Sequence, residues 1–132
     1  MKYAIIICRT LLGLGFIVFG ANIIFPFMPT PPMPPDALPT KFLAVMGPTH
    51  WMIVVGFFQL LGGILVIVGR TAPLGLALLA PVLVNILCFH AFLDNGNGII
   101  PGLVFSAIEI FLIYSYRSHF MPLFTTTAEP TK

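Results

Sequence analysis

Four long apolar runs, separated by short polar or proline-rich stretches, dominate the chain. A helix needs roughly 17–25 apolar residues to cross the hydrocarbon core of a bilayer. The runs at about 3–25, 51–68, 73–93 and 99–116 satisfy that requirement. They predict an all-α membrane protein, a four-helix transmembrane bundle. Lys2 ahead of the first run resembles the start of a signal peptide, but Arg9 interrupts the run and the run outlasts a signal's apolar core. A retained span is therefore expected.

The segments between the runs carry their own signals. Seven prolines fall between Pro26 and Pro39. Proline lacks the N–H a helix needs and favours extended backbone, so a Pro-rich loop outside the membrane core is predicted between the first two spans. Lys41 to Met46 can form a short interfacial helix, stopped by Gly47 and Pro48, with His50 and Trp51 at headgroup level. The Arg70–Ala72 turn is short enough to make spans two and three antiparallel neighbours. Pro73 and Pro101 suit the first turns of spans three and four, whereas Pro81, inside span three, predicts a kink. Asp94 to Gly98 reads as a tight turn. The layout is one membrane domain over 1–124 and a polar tail over 125–132.

Composition agrees with a lipid environment. The chain is 58% hydrophobic and 8% charged, with a mean hydropathy of +1.05; a soluble domain carries about 25% charged residues. A net charge of +2, scattered along the chain, argues against nucleic-acid binding. The charges bear on orientation instead. With four spans, Lys2, Arg70, Arg117 and Lys132 fall on one side, and Asp36, Asp94 and Lys41 on the other. Because Lys and Arg accumulate on the cytoplasmic side, both termini are expected there, in the cytoplasmic (inner) membrane. Cys8 and Cys88 fall near opposite faces, which disfavours a disulfide, and neither has a spacing suited to a redox dithiol or a metal site.

Polar residues inside the spans are costly to keep there and point to candidate sites. Arg9 lies seven residues past Lys2, and Glu109 eight before Arg117, so both lie at similar depth. A buried Arg9–Glu109 ion pair between spans one and four is expected. Arg9, Gly13 and Gly20 share one helical face, and Gly102, Ser106, Glu109 and Tyr116 share another, which predicts close packing of those spans. Gly56, Gln59 and Gly63 are expected to meet Ala77, Pro81, Asn85 and Cys88 between spans two and three, with Gln59 bonded to Asn85. Asn22, Gln59, Asn85 and His90 are the candidate ligand-binding residues. Histidine, amides and aromatics such as Phe89 and Phe92 suit a quinone headgroup; no other cofactor is signalled.

Two stretches resemble the DoxX family of small membrane proteins: QLLGGILVIVGR (Gln59–Arg70) and APLGLALLAPVLVNILCFHAFLD (Ala72–Asp94). Arg9 with Leu12 and Gly13, Phe19 with Gly20, the loop from Met28 to Pro35, and Tyr116 with Arg117 ahead of Phe120 extend the likeness over nearly the whole chain. The resemblance implies a compact four-helix membrane bundle. It also implies a role as a membrane subunit of an oxidoreductase complex, as in thiosulfate:quinone oxidoreductase, binding quinone or docking a redox partner. A scaffold without chemistry of its own, or a small-solute transporter that works as a homo-oligomer, are the competing expectations. The resemblance carries no catalytic residue onto this chain.

Overall fold

In the computed structural model, which describes residues 1–132, each apolar run is a helix and there are no strands. Helix α1 spans Lys2–Ile24, α3 Trp51–Val68, α4 Ala72–Cys88 and α5 Ile99–Ser115. Between the first two, α2 (Leu38–Met46) follows the Pro-rich loop. It starts three residues earlier than the sequence suggested, because Pro39 sits in its first turn, where a missing N–H does no harm. Helix α4 runs unbroken through Pro81 and continues into a π turn, Phe89–Leu93. Helix α6 (Arg117–Phe120) and a final 3-10 turn leave α5 at 79°. Three helices, Lys2–Ile24, Trp51–Val68 and Ala72–Leu93, are long and apolar enough to cross a bilayer. Helix α5, of 17 residues, is the fourth candidate span when taken together with the bent segment Arg117–Phe124 that follows it.

The packing follows from where side chains are absent. Gly13 and Gly20 of α1 oppose Gly63 and Gly56 of α3. A Cβ on Gly20 would stand 2.7 Å from the Gly56 carbonyl oxygen, and one on Gly63 2.7 Å from that of Gly13. Two bare stripes, each repeating after seven residues or about two turns, bring the backbones into direct contact. This corrects two expectations: the α1 glycines meet α3 rather than α5, and the Gly56–Gly63 stripe meets α1 rather than α4. The reason is that a glycine stripe approaches most closely an equally bare one, whereas α5 presents Phe105 to Gly15. Gly62 and Gly75 make the close approach between α3 and α4, with Leu79 over Gly62. Ala77, Pro81, Asn85 and Cys88 lie on an exposed side of α4 instead.

These pairings run in opposite senses along each pair of helices, so α1, α3, α4 and α5 alternate in direction around a ring. Helix α1 touches α3 and α5, and α4 touches the same two. Leu12, Phe16, Val66, Leu76, Leu79, Leu83 and Leu112 fill the centre. The outer surface is apolar as well, with Leu11, Val54, Leu74, Val84, Val104 and Ile110 exposed. Such a surface is stable against lipid chains and unstable in water. One end of the bundle carries the start of α1, the α3–α4 turn and the end of α5; the other carries the 25–50 segment and the 94–98 turn.

Candidate functional site

Toward the end away from the chain termini the helices line a half-open cavity of about 670 Å³. The final turns of α1, the first half of α3, the end of α4 and the start of α5 supply its walls. Phe16 and Phe19 of α1 pack on Phe105 of α5, with ring centroids 5.7 and 6.3 Å apart. Phe42 of α2 meets Phe89 of the π turn edge-on at 5.4 Å, so the interfacial helix helps to enclose the cavity. A narrower groove of about 280 Å³ between α3 and α4 shares Trp51, Val55 and Asn85 with the cavity lining.

All four candidate ligand-binding residues, Asn22, Gln59, Asn85 and His90, line this cavity. Their hydrogen bonds differ. Asn22, near the end of α1, accepts the backbone N–H groups of Phe27 and Met28 at 3.0 and 2.8 Å, holding the chain as it leaves the helix. Asn85 donates Nδ2 to the Pro81 carbonyl at 2.9 Å, not to Gln59. The expected bond between the two amides is therefore absent. Cβ vectors tilt toward the N-terminus of a helix, so amides at matched depth on antiparallel helices lean apart. Gln59 is buried, at 4% exposure, and its Oε1 has no hydrogen-bond partner.

His90 is placed by the π turn. The wider turn is closed by the Asp94 N–H on the Phe89 carbonyl at 3.2 Å, and the His90 carbonyl accepts from Gly96 at 2.6 Å. His90 Nδ1 lies 2.7 Å from the Asn97 carbonyl oxygen, and Asp94 Oδ2 is 3.6 Å from the same nitrogen. A carbonyl only accepts, so Nδ1 carries the proton and donates it. In the neutral ring Nε2 is then left as an acceptor. π turns recur at functional sites because they re-aim one side chain without breaking the helix. Neither this turn nor the contributions of Phe16, Phe19, Phe42 and Phe105 are legible in the sequence. The Phe spacings are those of ordinary core, and no residue pattern marks a π turn. Phe89 lines the cavity as anticipated; Phe92 is 74% exposed and does not.

The other polar layer differs from expectation. Arg9 makes no ion pair with Glu109. Its Nη1 donates to the Tyr116 hydroxyl at 3.1 Å, and its guanidinium packs against Gly69, where a Cβ would stand 2.6 Å from Nη1. Glu109 is 3% exposed and neither carboxyl oxygen has a hydrogen-bond partner. Equal depth along antiparallel helices again explains the miss. The Arg9 side chain leans toward the start of α1, at the end carrying the termini, and that of Glu109 toward the start of α5, at the cavity end. Ser106, on the same face, is bonded within its own helix to the Gly102 carbonyl at 2.7 Å.

Fold and site together define a small multi-pass membrane protein with an aromatic-walled, amide- and histidine-bearing cavity at one end of a four-helix bundle. Residues 4–91 match the family model for DoxX, and the chain belongs to that family. No curated protein and no solved structure matches it.

Proposed function

We propose that this protein is a quinone-binding subunit of a membrane oxidoreductase complex. The observation that carries this reading is the convergence of His90, Gln59, Asn85 and Asn22 on one cavity walled by aromatic rings. Its volume falls in the range of small-molecule sites, roughly 300–1,000 Å³. A flat, polar-edged ring suits stacking on phenylalanines with its oxygens toward the amides and the imidazole. The adjoining groove between α3 and α4 gives an isoprenoid tail a route toward lipid. The oxidoreductase partner exchanges electrons with the bound ring, since the chain contains no cofactor fingerprint of its own.

The same reading places the protein in the cytoplasmic membrane with both termini inside and the cavity toward the outer leaflet. The distribution of Lys2, Arg70 and Arg117 at one end supports it. Purification from native membrane, followed by solvent extraction and mass spectrometry, tests the binding claim. Retained quinone at a stoichiometry near one per chain is expected, with loss in Gln59→Leu. Protein free of quinone, yet bound to an oxidoreductase, would favour a scaffold without a ligand.

A further inference from the structure

A quinone site meets two chemically distinct ligands. The oxidised ring presents carbonyl oxygens, which only accept hydrogen bonds; the reduced ring presents hydroxyls, which both donate and accept. The polar groups of the cavity are not neutral between them. In the neutral ring the Asn97 carbonyl, 2.7 Å from His90 Nδ1, selects the tautomer in which Nε2 holds a lone pair. No protein group donates to that nitrogen, and the ring borders the cavity. A quinone carbonyl set against Nε2 would oppose acceptor to acceptor. A hydroxyl would donate to it while still accepting from an amide N–H of the lining.

Resting on the proposed quinone site, we infer that the cavity selects the reduced, dihydroxy form of its ligand, with one hydroxyl donating to His90 Nε2. His90 is held for this task by backbone, with the Asp94 carboxylate 3.6 Å from the same Nδ1. The π turn places it, the Asn97 carbonyl orients it, and Gly98 leaves room for the ring, which a Cβ there would approach to 3.2 Å. A hydroquinone bound this way is a product ready to leave for the lipid or a substrate arriving from it. In either case its redox couple is shifted relative to the membrane pool.

Anaerobic titration calorimetry of the detergent-solubilised full chain tests the inference, using a decyl-benzoquinone and its reduced hydroquinone as probes. The hydroquinone is expected to bind about tenfold more tightly, the effect of one well-made hydrogen bond against an unmet acceptor. That ratio corresponds to a rise of about 30 mV in the midpoint of the bound two-electron couple. In His90→Phe the two affinities should converge through weaker hydroquinone binding. His90→Gln, which keeps a polar side chain should the Phe variant fold poorly, should narrow the ratio. Equal affinities in the unmodified protein, or a preference for the quinone, would overturn the inference while leaving a quinone site in place. Binding of neither form would overturn both it and the proposed function.

Discussion

Arg9 shows how depth and direction separate at the level of single residues. It enters the bundle far enough to need a partner, and Tyr116 with the open surface over Gly69 supplies one. Gly69 has φ +85°, a left-handed conformation favoured by glycine, and any side chain would collide with the guanidinium. Gly69→Ala should therefore lower stability by about 1–3 kcal/mol, read as an earlier melt in detergent. Glu109→Gln should leave the melt unchanged or raise it, since no ion pair is lost. Were Arg9 and Glu109 paired, the same change would cost about 3–5 kcal/mol. Hydropathy and charge counting mark both residues as charged oddities inside apolar runs. Their lack of contact depends on which way Cβ tilts in each helix, which a count of residues from the helix end does not encode. For the same reason Gln59 and Asn85 line the same cavity without bonding to each other.

At the scale of elements, the glycine stripes of α1 and α3 hold the bundle. No hydrophobic force draws helices together in lipid, so contact area and close approach must do so. Gly63→Leu should prevent folding or lower the melting temperature sharply, because overpacking costs typically 1–3 kcal/mol and here meets the Gly13 backbone. Ala107→Leu, on an exposed part of α5, should be silent. Thermal denaturation followed by circular dichroism distinguishes the two. Helix positions were legible in the sequence because apolar length alone decides them in a membrane. Which glycine stripe met which was not legible, since several helices carry one. The π turn left no signal either: its cause is the hydrogen-bond closure among Phe89, His90, Asp94 and Gly96, not the type of any one residue.

The whole molecule has an apolar outside, a sealed centre and one open end. Alternation of the four helices places Lys2, Arg70 and Arg117 at the sealed end and the 94–98 turn at the open one, and the positive charges then predict orientation. In chains with Cys8 and Cys88 replaced by alanine, a membrane-impermeant maleimide added to intact cells should label Asn95→Cys and spare Thr127→Cys; the reverse pattern would invert the topology. The open end is the proposed quinone site. Photolabelling of the native-membrane protein with an azido-quinone, followed by peptide mapping, addresses it most directly. Labels should concentrate in Trp51–Gln59 and Leu83–His90 and disappear under excess unlabelled quinone. Labels spread over lipid-facing positions such as Leu74 and Ile110, unaffected by competitor, would contradict it.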